Sequence, residues 1–571
     1  MRLSPRFRAA RQLSMLALSL SIIGACSVIP LTVDVKATAP MLDGFGATTL
    51  VSSRANAQAQ RLFAQGMAQL YAFNGGEAIR AFKAGLAQDP QCSMCAWGVA
   101  LAMGPNINNH SRGGLKMAVR YLDYALTHSA GSSPRDLALM HSLALRYGHK
   151  AGNTIAPPSG ELCVASAGAN ETPADPLDIA YAKHMRVLAE RYPADPDMLA
   201  LYAEAEMVAT RGDWWDPVSG KPRGRMGELA TMIEAGLARH PNHVGLNHFM
   251  IHAVDAAPVA ARAVAAADRL GALAPKSPHL LHMPSHTYAN VGRYADATRV
   301  NQLAVAADEA MMAELKKQNF ATTFDWRGHN GHFQWYGALM EGRAELALES
   351  ARASAGRAKS DSAYEEYVRS LPVLTLLHLQ RWDALVAEPL PTGSRGIATV
   401  IGEMSRGIAL VRTGKLAEAK AGLERLKPKA VSLLAKHSGE DFMDRIVRSL
   451  VNSSQSQLAA EIAFAENRTD AALKLQAEAV ASGNRADRLE PPMLAGGPQQ
   501  RLGSMQLRAR QFAAAETSFR ADLALHPANG WALNGLEKAL AGQGKDSELA
   551  STRRELAKSW ALAEAPVRAT Q

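Results

Sequence analysis

Six of the chain's 17 histidines fall between His243 and His286, in HVGLNHFMIHAVD and PHLLHMPSHTYANVGRYADA, and His329 and His332 follow in HNGHF. Residues three or four apart on a helix share a face. His248, His252 and Asp255 run i, i+4, i+7, and His279, His282 and His286 run i, i+3, i+7. Imidazoles converging in a cleft repel one another when protonated and lack donors when neutral; a divalent ion removes both difficulties. Neutral imidazole suits copper, zinc, iron and nickel. The candidate metal ligands are therefore His243, His248, His252, Asp255, His279, His282, His286, His329 and His332. Asp255 either binds the ion or orients a ligand histidine through its second nitrogen. Eight histidines exceed the three or four that one zinc takes. The surplus is left for a second metal, for acid–base work or for an anionic substrate. The plainer alternative is a set of structural polar residues or a pH-sensitive peptide groove.

His248-Phe-Met-Ile-His252 is not the zincin motif, because no glutamate follows the first histidine. A general base has to come from Asp255 or from Glu204 in LYAEAEM, with Glu206 beside it. Trp214, Trp215, Trp335 and Asn330 are expected to shape a substrate pocket; a buried plug between repeats is the other reading of the Trp pair. Cys92-Ser-Met-Cys95 is either a short-loop disulfide or, with Met94, a soft-metal site. No serine elbow, phosphate-binding glycine loop or nucleotide motif is present.

These side chains need helices to position them, and the chain supplies helices in repeats. Residues 59–92 place Leu62, Gly66, Ala78, Phe82, Gly85 and Pro90 at offsets that match the tetratricopeptide pattern of two antiparallel helices. Further units are expected in the register of Val244, from 278 (Tyr288, Gly292, Tyr294, Ala297), near 328, and down to 496–529 and 530–557. The expected fold is all-α, a tetratricopeptide α-solenoid whose last helix, near 547–565, caps the apolar end. Pro284 cannot donate a backbone N–H, so the second histidine helix is expected to start at Met283, with His279 and His282 on a lead-in turn.

The stretches CSMCAWGVALAMGPNIN, YAEAEM, HVGLNHFMIHAVD, HLLHMPSHTYANVGRYADA, HNGHF and DLALHPANGWALNGL resemble a group of bacterial exported tetratricopeptide proteins. In tetratricopeptide units, positions 2, 5, 9, 12 and 13 typically face the groove. The resemblance thus implies that His248, His252 and Asp255 (positions 5, 9, 12), His279, His282 and His286 (2, 5, 9) and His329 and His332 (2, 5) share one patch, with Asn330 and His243 beside it. It implies no established activity.

The start, MRLSPRFRAARQ, then an apolar run from Leu13 to Ala25 followed by Cys26, has the layout of a lipoprotein-type secretory signal, too short to span a membrane. The expected organisation is signal 1–26 with lipidation at Cys26, a flexible tether 27–50, an N-terminal array 51–343 carrying the groove, and a C-terminal array and cap 344–565. A periplasmic or outer-membrane-anchored protein follows. The formal charge of +9 is scattered, without a basic stripe interleaved with aromatics, which argues against nucleic acid. The sequence reads as an exported metalloprotein with a small-molecule or peptide substrate in the concave groove. A transition metal ion is expected, copper first for an oxidative all-nitrogen site, with zinc (hydrolysis) or iron as alternatives; a scaffold or a metal store remains the competing role.

Overall fold

The same turn recurs down the chain and sets the architecture. After a first helix, one residue takes positive φ: Phe73 (51°), Gly292 (77°), Gly342 (79°), Gly414 (79°), Asn467 (60°), Arg510 (58°) and Gly544 (69°). The next N–H returns to a carbonyl five residues back, as in Arg293 N to Tyr288 O at 2.7 Å and Lys545 N to Leu540 O at 3.1 Å. This closure satisfies the orphan carbonyls of one helix and reverses the chain into the next. Repeated, it yields antiparallel pairs such as Ala57–Tyr71 with Gly75–Gln88, Pro284–Asn290 with Tyr294–Lys317, and Arg327–Met340 with Ala344–Arg357.

The computed structural model describes residues 31–109, 114–149, 175–212, 214–216, 219–256, 258–565 and 567. Among them the chain is an all-α solenoid of helix pairs, with isolated β-bridges and no sheet. No described helix is long and apolar enough to cross a membrane. The expected signal, Cys26 and Cys163 lie outside the described residues.

Within a pair and between successive pairs, helices approach where a glycine faces an aromatic ring. A Cβ on Gly66 would lie 2.5 Å from the Phe82 ring, and one on Gly98 would lie 2.6 Å from the same ring. The buried apolar residues fall mainly into two clusters, one running from Phe45 to Leu315 and the other from Tyr294 to Val567, so the long helix Tyr294–Lys317 belongs to both.

The described part of the expected tether is instead docked. Phe45 and Leu50 are buried, Thr48 Oγ1 donates to Asp197 Oδ1 at 2.9 Å, and Lys276 N donates to Gly44 O at 2.9 Å. Apolar residues in this segment lower the free energy by covering the first repeats, which a solvated tether could not do.

The far end of the array curls back. Trp531 Nε1 donates to Leu339 O at 2.8 Å, Trp560 Nε1 to Met340 O at 3.3 Å and Glu564 N to Gly342 O at 3.1 Å. A Cβ on Gly292 would stand 2.5 Å from Pro527 O. The expected cap is the helix Asp546–Ser559, with Leu549 buried beneath it. This closure carries the connector around Glu490 to the histidine helices.

His526 sits in the returning segment, 4% exposed, with Nδ1 3.2 Å from Asp522 Oδ1. Burial lowers its pKa, but Asp522 and Asp487 outweigh burial and hold it at about 8. Its unfolded value is about 6.5. The folded value is the higher one, so its contribution is complete below about pH 6.5 and is lost as pH rises through about 8. Denaturant unfolding should show stability falling by up to ~2 kcal/mol between pH 6.5 and 8.5, and His526→Gln should flatten that slope.

Candidate metal centre

The structure gathers six histidines as two adjacent triads. The first joins His248 and His252, on the helix Val244–Ala253, with His279 on the short helix Pro278–His282. The second joins His282, at the end of that helix, His286 on Pro284–Asn290, and His329 on Arg327–Met340. In each triad one ligand nitrogen per ring lies within 4.8 Å of the others. The triads touch: ring centroids are 6.1 Å apart for His279–His282 and 6.5 Å for His252–His286. Pro284 breaks the helix only at Met283, which keeps right-handed helical φ and ψ. His279 and His282 are therefore helical, and the i, i+3 step sends them to different triads.

Hydrogen bonds on the far ring nitrogens fix the tautomers. His248 Nδ1 lies 2.7 Å from Tyr71 O, an acceptor only, so Nδ1 carries the hydrogen and Nε2 a lone pair. Asn301 Nδ2 donates to Ala297 O at 2.8 Å, which turns its Oδ1 to His282 Nδ1 at 2.7 Å. His282 Nε2 is then also a lone pair. His286 Nδ1 faces Glu490 Oε2 at 2.7 Å and Asp255 Oδ2 at 3.1 Å. The Nε2 atoms of His282 and His286 nonetheless stand 3.0 Å apart. In the first triad His248 Nε2 is 3.1 Å from His252 Nε2 and 3.2 Å from His279 Nε2. Two lone pairs at 3.0 Å require a cation between them, either a proton or a metal ion.

The electrostatics follow from burial. His248, His252, His279 and His282 are at most 2% exposed, and burial depresses each pKa, that of His248 to about 3. Burial also lowers His329 to about 3. Burial disfavours the charged His286 too, but Asp255 and Glu490 outweigh it and raise that imidazole to about 10. Burial and the Asp255 charge together push the Glu490 carboxyl up. The pair therefore carries one negative charge at neutral pH, on Asp255, with Glu490 as the protonated partner.

Aromatic rings wall the triads. Phe73 lies 4.6 Å from His248 and 5.1 Å from His279, and Trp326 lies 4.5 Å from His279. Phe333 is 4.6 Å from His282 and 4.5 Å from His286. A cavity of about 830 Å³ opens on the second triad, lined by His286, Asp255, Glu490, Asn290, Trp214 and Trp215 among others. The cavity therefore reaches the second triad, at His286, and not the first. Arg445, Arg448, Arg485 and Arg488 also line this cavity.

Several expected site residues lie elsewhere. His243 caps the helix Val244–Ala253: Nδ1 accepts from Leu246 N at 3.1 Å and Nε2 donates to Asp197 Oδ1 at 3.1 Å, so neither nitrogen is left for an ion. His332 meets Tyr364 Oη and Tyr367 Oη, each at 3.0 Å, and stacks on Trp335. Only three residues from His329, it points to the next helices rather than to the triad. Trp335 is 1% exposed, donates to Thr375 Oγ1 at 2.7 Å and does not line the cavity. Asn330 is held by Asp308 at 2.9 Å and is likewise absent from the lining. Glu204 joins none of the described clusters; burial, opposed by Arg146, raises it to about 7. Asp255 meets His286 on the Nδ1 side, behind the ring. Cys92 and Cys95 form a disulfide, which removes their thiolates as ligands.

His332→Phe should leave bound metal unchanged in elemental analysis. That outcome separates the two triads from the wider histidine set.

No family model matches the chain, and no curated protein matches it either. Among solved structures, the P58(IPK) TPR domain aligns with 86% of this chain and 100% of its own at 11% identity and TM-score 0.20. The Naa15/Naa10 complex bound to HypK-THB aligns with 89% of this chain and 90% of its own at 10% identity, also with TM-score 0.20. The chain thus has a weak similarity to TPR-domain structures.

Proposed function

We propose that this chain is a metalloprotein with a paired transition-metal centre, each ion held by one histidine triad, and that it is an oxidative copper enzyme. The observation that carries this reading is the convergence of three imidazole nitrogens in each of two adjacent triads, all within 4.8 Å of one another, with the Nδ1 atoms of His248 and His282 turned to acceptors so that Nε2 faces the triad. Three imidazoles per ion and no carboxylate within either triad suit copper. Three protein ligands also leave a coordination position open for substrate or water. Bound as a pair, copper would supply a two-electron redox couple.

The chain's own residues do the rest. Tyr71 O, Asn301 and Glu490 orient the rings through Nδ1, with Asp255 at ion-pair distance from His286, which also raises ligand basicity. Phe73, Trp326 and Phe333 exclude water from the triads. Glu490, protonated at the cavity wall, is placed to give a proton to a bound substrate, and the His286 ring 2.7 Å away offsets the charge then left on its carboxylate. The substrate is a small polar molecule entering beside Trp214 and Trp215. We also place the protein outside the cytoplasm, on its N-terminal sequence and on the Cys92–Cys95 disulfide, which suits an oxidising compartment.

The test is elemental analysis of protein purified without an affinity histidine tag and reconstituted with excess Cu(II) or Zn(II), then dialysed. Two tightly held equivalents per chain are expected, copper displacing zinc. Protein that retains no stoichiometric metal ends the proposal.

A further inference from the structure

The cavity on the second triad is closed by two parts of the chain. The histidine helices reach it at His286. The returning C-terminal half supplies another wall: Arg485 in the last turn of the helix Thr469–Asp487, Arg488 just after that helix, and His526 just after Phe512–Leu525.

His526 is the buried member of this wall. It is 4% exposed, and its Nδ1 is committed to Asp522 Oδ1 at 3.2 Å. Asn529 Nδ2 donates to the other oxygen of that carboxylate at 2.6 Å, which holds the pair in place. Nε2 has no hydrogen-bond partner among the described residues, so it is the polar atom that the ring offers to the cavity. Burial works against the charged ring, but Asp522 and Asp487 hold its pKa at about 8. At neutral pH Nε2 therefore carries a hydrogen and faces the cavity as a donor.

The arginines of the lining divide into two sets. Arg223 meets Asp216 at 3.6 Å, Arg448 meets Glu440 at 3.4 Å, and Arg445 donates to the Glu440 carbonyl. Arg488 Nε donates to Asn484 Oδ1, a neutral amide, at 2.8 Å, which leaves its two Nη groups without a protein acceptor among the described residues. Arg485, at the exposed rim, makes no hydrogen bond or ion pair among them. The remaining acids of the lining do not neutralise these two: Asp255 is paired with His286, Glu490 is protonated, and Asp487 accepts from Gly496 N at 2.9 Å while burial pushes its carboxyl up. Arg485 and Arg488 are in reach of water, so their part is to attract and grip. A cleft walled by protein concentrates their field. Arg488 lies two residues before Glu490, whose carboxyl stands 2.7 Å from His286 Nδ1, so one short connector joins this wall to the second triad. A volume of about 830 Å³ fits a small molecule.

From the free Nε2 of buried His526 and the uncommitted donors of Arg485 and Arg488 beside the second triad, we infer that the substrate of this centre is a small organic anion. Its carboxylate or phosphate group is held by these three side chains, through charge-assisted hydrogen bonds, and the rest of the molecule fills the cavity towards His286. The inference rests on the reading of the second triad as the reactive centre; the anion site itself does not need the ion.

Isothermal titration calorimetry on the full chain tests it with 3-phenylpropionate, phenyl phosphate and the neutral 3-phenylpropanol, before and after loading with Cu(II). At least one anion should bind with 1:1 stoichiometry in both states, more weakly at higher salt, and about tenfold or more tighter than the alcohol. The tighter anion tells carboxylate from phosphate. Arg488→Gln and His526→Gln should each weaken binding by about tenfold, and Arg485→Gln by about threefold. Lys429→Gln removes the same charge from an exposed position outside the lining and should leave binding unchanged. Should His526→Gln fail to fold, the two arginine variants carry the test. No binding of either anion at millimolar concentration, or binding that none of the three variants weakens, overturns the inference. Elemental analysis reads the metal separately: copper retained without anion binding sinks this inference and leaves the metal centre standing, whereas anion binding without retained metal keeps the anion site and ends the metal reading.

Discussion

His252→Ala is expected to lower bound metal from two equivalents to one, His286→Ala to do the same, and the double variant to hold none. Each substitution removes one of three convergent nitrogens from a different triad. The two imidazoles left cannot match three for a transition ion in competition with water. The two variants should differ in what remains. His252→Ala strips the deep triad walled by Phe73 and leaves the one that opens on the cavity; His286→Ala does the reverse. If substrate reacts at the cavity, turnover should survive the first variant better than the second. Far-ultraviolet circular dichroism should stay helical in both, because the helices are held by packing and turn closures outside the triads. Elemental analysis of the dialysed variants reads the stoichiometry. Retention of two equivalents by the double variant would defeat the triad assignment.

The sequence carried the repeat architecture because its signals are local. Gly292, Gly342 and Gly414 announce turns that need positive φ, and Gly66 opposite Phe82 announces close helix approach. The same turn is hidden where Phe73, Asn467 or Arg510 takes the position. Phe73 is the instructive case: a bulky residue in the left-handed region marks strain held by its surroundings, and its ring is the wall of the first triad.

Helical spacing identified all six triad histidines but grouped them wrongly. His279, His282 and His286 read as one face, whereas the three-residue step from His279 to His282 along one short helix puts His279 in the first triad and His282, with His286, in the second. The spacing also could not tell a ligand from a residue already satisfied. His243 and His332 have the expected register, and only the partners Asp197, Tyr364 and Tyr367 remove them. Glu490 left no local signal. It lies 204 residues from His286, in a connector that reads as Pro/Gly linker, and it arrives by the closure of the whole superhelix.

That arrival makes the two carboxyls behind His286 separable by experiment. Asp255 and Glu490 both meet Nδ1, yet they carry different charge states, since burial and the neighbouring Asp255 keep Glu490 protonated while His286 helps hold Asp255 ionised. Asp255→Asn removes the negative charge that balances a metal-bound imidazole and should weaken metal at the second triad by about 10- to 100-fold, with the first triad unaffected. Glu490→Gln substitutes one neutral hydrogen-bonding group for another; its carbonyl still accepts from His286 Nδ1 and its amide still donates to Asp255. Metal affinity should then change by less than about threefold, while turnover, if the Glu490 proton is used, should fall by about 10²-fold or more. Competition titrations against a chromophoric chelator measure the first effect and steady-state rates the second. Asn290 donates to Asp255 Oδ1 at 3.0 Å and fixes the carboxylate independently of the ion, so Asn290→Ala should reproduce a weaker form of the Asp255→Asn defect. Equal loss of metal in the Asp255 and Glu490 variants would mean that both carboxyls are ionised and act as one counter-charge, and the proton-donor role of Glu490 would fall with that result.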